Sequence, residues 1–396
     1  MSALHNESIS TPLGKASYNP RSFLAAAILS FVGGVFVLKY AGRHMSHGWI
    51  DGILYVAVFL VAVWGLTEAD RKRILQKFHL NALLLISFMT LASIIAVVVL
   101  PDRSDVSRLP AITAWLNALF SGHYPYGTSL NPSAFPGLFF AASPFYLLGN
   151  TGLLEAAGIL LFGISALILS GRDSQRAKMQ LMIMMLLPTT YYELVTRSEL
   201  LFNMSLIAVL MLVADERVDP SKRDSNFFFT AILLGLALST RSIVALLYSP
   251  YVVFKFLKKS LFNGLIFSLT VIAVFFATFL PFIIWNSREF MLDGPFAVQF
   301  GYVPFWMMGV SLVLSIVIGL SSKDIEDIFF YAGILLFLLV LWAFVARVVD
   351  VGWQGVFLRN RFDVGYFIFC VPYLVLSIGG SGKAKDIEKC EANPEE

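Results

Sequence analysis

The chain has 396 residues, of which 58% are hydrophobic and only 14% charged, with a mean hydropathy of +0.76. A set of soluble domains of that length carries far more charge, so the composition points to the membrane. The 29 Lys and Arg against 26 Asp and Glu leave a formal charge of +3, too mild and too dispersed for a nucleic-acid surface. Cys370 in an apolar run and Cys390 in the polar tail make neither a disulfide framework nor a zinc site.

In chain order, Lys15 and Arg21 precede a first apolar run from Ser22 to Leu38. It lacks a small-residue cleavage site and reads as a retained helix. A second run covers 50–66, and the stretch Asp70-Arg71-Lys72-Arg73 behind it belongs on the cytoplasmic side by the charge bias of membrane loops. A third, 82–100, then delivers residues 101–135 to the outer side. The segment 136–148 is too short to cross at about 20 residues per span and reads as a dip. Further runs follow at 152–170, 179–192, 200–214, 227–240, 242–256, 261–285, 304–320, 328–346 and 365–379. Alternation places Arg172 and Arg176, Arg217 and Lys222, Lys255 to Lys259, and the Lys383 to Lys389 tail inside. The expectation is an all-α polytopic bundle of about twelve crossings plus a short re-entrant segment. It divides into a tail with three helices (1–100), an external loop (101–135), the remaining bundle (136–379) and a cytoplasmic tail (380–396). Outer intervals at 193–199, 286–303 and 347–363 join the loop above the helices, and both termini are cytoplasmic.

The outer intervals hold the residues that can carry chemistry. Leu109, Ile112, Leu116 and Leu119 recur at helical spacing opposite Thr113 and Asn117, a short helix in the membrane interface that Gly122 ends. Asp105 stands just before it, at the depth of a lipid phosphate, where a carboxylate can take a proton from an acceptor hydroxyl; a helix cap or a water-facing acid is the plain alternative. Asp102 is a candidate metal ligand, although a divalent oxygen site needs more ligands than this pair supplies. His123 suits a sugar or phosphate hydrogen bond, and Tyr126 either a sugar contact or the aromatic belt. Glu193 and Arg197, four apart, form a same-face helical pair or else bind sugar hydroxyls and an anion. Arg241 separates two apolar half-length segments; a charge in hydrocarbon costs roughly 2.5 to 3.5 kcal/mol, so it must find water, lipid phosphate or a carboxylate. Arg288 is the other guanidinium suited to bidentate phosphate contact, with Arg359 and Arg361 in reserve. No P-loop, dinucleotide glycine signature, zinc spacing or serine-histidine motif accompanies them.

The run Ser104-Asp105-Val106, an amphipathic helix, Gly122-His123-Tyr124-Pro125-Tyr126 and the Pro136 to Pro144 segment resemble the integral-membrane glycosyltransferases of the GT-C superfamily. The likeness is greatest to the polyprenyl-phosphate-sugar-dependent mannosyltransferase-like group related to family GT87. Gly235-Leu236-Ala237-Leu238-Ser239-Thr240-Arg241 resembles that family's small-residue segment before a basic residue, so the likeness covers about residues 100 to 255. The chain departs from the pattern in placing extra spans before the loop and in carrying Arg241 where many relatives have Lys.

The resemblance implies a transferase in a bacterial plasma membrane, its active site facing outside, that moves a sugar from a polyprenyl-phosphate donor to a lipid or glycan acceptor. Asp105 would be the base, Arg241 the residue at the donor phosphate, and the reaction a single displacement with inversion. No cofactor is required, and a divalent metal is compatible with the superfamily. The rivals are a polytopic transporter or flippase with broken helices around a midplane site, and a scaffold that kept the fold without activity.

Overall fold

The computed structural model describes residues 19–40, 48–76, 81–101, 108–128, 133–171, 174–257, 259–300 and 303–379, and among them it is helical throughout, with no strand. The helices are α1 (Pro20–Tyr40), α2 (Gly48–Arg71), α3 (Ala82–Val99), α4 (Leu109–Phe120), α5 (Pro136–Leu147), α6 (Leu153–Ser170), α7 (Ser174–Leu186), α8 (Pro188–Thr196), α9 (Leu200–Arg217), α10 (Ser225–Leu238), α11 (Ala245–Phe256), α12 (Leu261–Arg288), α13 (Pro295–Phe300), α14 (Phe305–Ser321), α15 (Ile325–Phe357) and α16 (Val371–Ser377). A 3-10 helix, Val364–Cys370, leads into α16. Polar caps fix several starts: Asn81 accepts the Leu83 N–H, Asp224 that of Phe227, and Asp324 that of Asp327.

The expected twelve crossings are not found. Among the described residues six helices are long and apolar enough to span a membrane, or seven if the bent pair α8–α9 is one span. The reason lies in the breaks. Proline at 188 has no N–H to continue α7, so the run expected over 179–192 is two helices, with Leu187 extended between them. The segments at 227–240 and 242–256 give α10 and α11, of 14 and 12 residues, about 21 and 18 Å at about 1.5 Å per residue against the ~30 Å hydrocarbon core. They pack on longer neighbours, α10 on α12 and α11 on α14. Two expected outer loops are also partly helical: α15 runs on to Phe357 through a kink at Gly352 (φ 72°), and Glu193 to Thr196 belong to α8. The short amphipathic helix expected after residue 108 forms over Leu109–Phe120.

Large apolar side chains cover the outside, among them Val58 and Trp64 on α2, Leu83, Phe88 and Leu91 on α3, and Ile284 on α12. Water does not tolerate such a continuous apolar coat, and lipid does. The protein is therefore a membrane-embedded helical bundle. Its interior has two parts: a large core built on α1, α6, α7, α9 and α16, and a smaller aromatic one where α4 and α5 meet the end of α12.

Ion pairs gather at opposite ends of the bundle. At one end Arg21 meets Asp327 and Arg176 meets Glu326 at 2.5 Å, joining the starts of α1, α7 and α15. The other end holds the last turn of α1 and the starts of α4, α9 and the 3-10 helix.

Helix α6 lies against α9 with Gly158 at the crossing, where an added Cβ would stand 2.9 Å from both Cα and N of Phe202. Backbone cannot yield as a side-chain tip can. Gly158→Ala is expected to destabilise the protein by about 1–3 kcal/mol, the usual cost of overpacking. Gly65→Ala, whose Cβ meets nothing within 4 Å, should leave thermal unfolding in detergent unchanged. Equal midpoints for the two variants would refute the close approach.

Candidate functional site

Four chain breaks deliver charged residues to the α4 end of the bundle. Arg108 precedes α4, Glu199 sits between α8 and α9, Arg241 follows α10, and Asp363 precedes the 3-10 helix. Glu199 is the hub. Its Oε1 accepts from Arg108 Nη1 at 3.1 Å and from Arg241 Nε at 3.1 Å, with a second, closer bond from Arg241 Nη2. The other arm of Arg108 donates to Asp363 Oδ2 at 2.6 Å, and its guanidinium lies 4.9 Å from the centre of the Tyr366 ring. Asp363 also accepts from the Gly365 amide at 2.8 Å and the Tyr192 hydroxyl at 3.4 Å.

These pairs set the protonation of the groups outside the spans. Burial works against the Arg108 charge, but Glu199 and Asp363 outweigh it and hold the guanidinium protonated well beyond its ordinary range. Burial likewise pushes the Asp363 carboxyl up, and Arg108 more than reverses this, leaving it below the usual carboxylate range.

Beside this network lies an apolar cavity of about 560 Å³, lined by residues of α10, α11, α12, α14, α15 and the 3-10 helix. Phe135, Phe275, Leu312, Ala343 and Phe369 are among its walls, and Arg241 is the charged residue that lines it. The chain turns sharply to put the guanidinium there. Residue 241 is extended (φ −156°, ψ 141°) between α10 and the short 3-10 turn Ser242–Val244. Gly137 at the start of α5 closes the same corner by donating its N–H to the Ser239 carbonyl at 2.8 Å. Long apolar walls leading to one arginine can take a lipid chain with an anionic head.

The other residues singled out in the sequence are distributed differently. Asp105 and Asp102 lie outside the described residues. Glu193 and Arg197 do not form the same-face side-chain pair. Arg197 ends α8 in the left-handed conformation (φ 48°), leaving only its N–H on the Glu193 carbonyl at 2.7 Å. Its guanidinium turns to the carbonyls of Val97 and Leu100 at 2.8 and 2.7 Å, beside a separate polar recess of about 480 Å³ lined by Thr113, Asn150 and Thr151. Glu193 is fully buried and accepts the Leu201 N–H at 3.0 Å.

Tyr126 is buried among Phe139, Phe282 and Phe290, its hydroxyl donated to the Ala134 carbonyl at 2.9 Å. The geometry gives it a packing role. His123 is exposed on the turn after α4, and Arg288 is exposed at the end of α12, away from the walls of the apolar cavity. Arg359 and Arg361 are exposed as well.

Sequence reasoning passed over Arg108, Asp363 and the bridging role of Glu199. A signal was present: each stands at a break between apolar segments, where an ionisable residue must find a partner. Among the described residues no group of three or more His, Cys, Asp or Glu is placed to hold a metal ion. In comparisons with family models, curated proteins and solved structures, the chain matches none.

Proposed function

We propose that the protein is a glycosyltransferase that moves a sugar from a polyprenyl-phosphate donor to a lipid or glycan acceptor at the outer membrane face. The observation that carries this reading is the apolar cavity that leads to Arg241. A polyprenyl chain lies along the aromatic and aliphatic walls, and the guanidinium meets the phosphate. Asp105, only three residues before Arg108, takes the acceptor proton, while Arg241 stabilises the departing phosphate in a single displacement. The Arg108 bridge to Glu199 and Asp363 holds the start of α4 against this corner.

The test is transfer from labelled polyprenyl-phosphate sugars to lipid acceptors by the purified protein. Asp105→Asn is expected to lose transfer by about 10²–10⁴-fold while still binding donor; transfer at the wild-type rate would remove its role as base. Ala343→Trp, which fills the cavity from α15, should weaken donor binding at least tenfold. Unchanged donor affinity in that variant would remove the lipid chain from the cavity.

A transporter is the second reading, and a specific feature favours it: α8 and α9 meet at a 115° bend with buried acids around it. Broken helices of that kind hold substrate or ions in secondary transporters. Uptake into vesicles without chemical change to the substrate would decide for it.

A further inference from the structure

Apart from the arginine bridge, the interior holds a second polar group that the proposed transfer does not use. Glu155 in the first turn of α6 is fully buried, and neither of its carboxylate oxygens has a hydrogen-bond partner. Two close contacts fix what it faces. Gly152 abuts the Arg197 side chain and Gly158 abuts the Phe202 backbone, so Glu155, between them on α6, stands opposite the α8–α9 break. The charged neighbours of its carboxylate are Glu193 and Glu199.

The break itself offers more polar atoms without partners. Glu193 Oε1 and Glu199 Oε2 have no partner, and Asn203, 1% exposed, has none on either amide atom. Asn203 follows Glu199 by one helical turn, its N–H on the Glu199 carbonyl at 3.0 Å, so the two share a face of α9. Buried acceptors without donors are costly unless something positive lies among them.

The charges point the same way. Fully buried here are three acids, Glu155, Glu193 and Glu199, and two bases, Arg241 and Lys39. Arg108 and Asp363, both more exposed, neutralise each other. Arg197 sends its guanidinium outward to the end of α3. Among the described residues Glu155 has no basic partner, and an unpaired ion in a low-dielectric interior costs several kcal/mol.

We propose that Glu155, Glu193 and Asn203 form a binding site for one small monovalent cation, of sodium type, at the α8–α9 break. Carboxylate and amide oxygens are hard ligands that suit such an ion. Two carboxylates and a carbonyl, with the nearby Glu199 committed to Arg108 and Arg241, fall short of the oxygen set that calcium takes. A broken helix supplies free carbonyls at such a point, which is how membrane proteins commonly hold sodium. The site is separate from the Arg241 cavity and stands whether the protein transfers sugars or moves solutes.

The experiment uses the full chain in detergent, with thermal unfolding followed in sodium chloride against choline chloride at constant ionic strength, and labelled sodium binding measured in parallel. Sodium should raise the midpoint saturably by about 3 °C or more, with one ion bound per chain. Glu155→Gln keeps the shape and removes the unpaired charge. This variant should unfold in choline no earlier than the wild type and gain nothing from sodium. Asn203→Ala should shift the sodium titration at least tenfold to higher concentration. Identical wild-type midpoints in the two salts would overturn the proposal, as would a sodium response that Glu155→Gln leaves intact. A midpoint that moves with pH and not with sodium would assign the charge to a proton and overturn it as well.

Discussion

Glu199→Ala is expected to be among the most destabilising single substitutions in the protein, costing about 3–5 kcal/mol, because it strips the shared carboxylate from the buried Arg241 and the largely buried Arg108. Arg241 keeps no other carboxylate in the network, and Arg108 keeps only Asp363. Glu199→Gln preserves volume and one acceptor oxygen and should cost less, though still more than a surface change, since both arginines then face an uncharged amide. Thermal unfolding in detergent checks this. The alanine variant should melt at least about 5 °C below the wild type, with Asp363→Asn falling between because Arg108 retains Glu199. A Glu199→Ala midpoint within a degree of the wild type would show that the bridge does not hold the four breaks together.

The largest expected effect on activity belongs to Arg241. On the proposed reaction, Arg241→Gln removes the charge that stabilises the departing phosphate and should lower kcat by about 10²–10³-fold, the scale seen when one preorganised oxyanion donor is lost. The fold should survive, because Glu199 still pairs with Arg108. Arg241→Lys keeps the charge without the fork and should retain more rate than glutamine, with the deficit mainly in kcat if the contact strengthens as the phosphate leaves. Arg288→Gln serves as the contrast: exposed and outside the cavity walls, it should change transfer less than threefold. Transfer by Arg241→Gln at the wild-type rate, with donor bound equally well, would remove Arg241 from the reaction.

Reading a sequence of this kind succeeds where a signal is local. The apolar runs from 22 to 38, 50 to 66, 82 to 100 and 152 to 170 became α1, α2, α3 and α6 because each is uninterrupted and long enough to satisfy its own backbone in lipid. The short amphipathic helix was legible for the same reason: four leucines and isoleucines at helical spacing with Gly122 behind them. Span counting failed where proline or a polar pair cut a run. A helix of 12 or 14 residues is no less apolar than a long one, and only its neighbours show whether it crosses or is packed inside.

Pairing across the chain is the other thing a sequence hides. Glu193 and Arg197 look like partners four residues apart, yet the left-handed turn at 197 aims the arginine at α3. Arg108 finds Glu199 and Asp363, 91 and 255 residues away. Composition and periodicity alone determined that this is a membrane-embedded helical chain, because burying apolar side chains and satisfying backbone groups in lipid depend on local pattern. Which charges meet, which arginine lines the apolar cavity and which acids stay without partners were decided only by the tertiary fold. Electrostatic pairing acts over a few ångströms in space and is indifferent to distance along the chain.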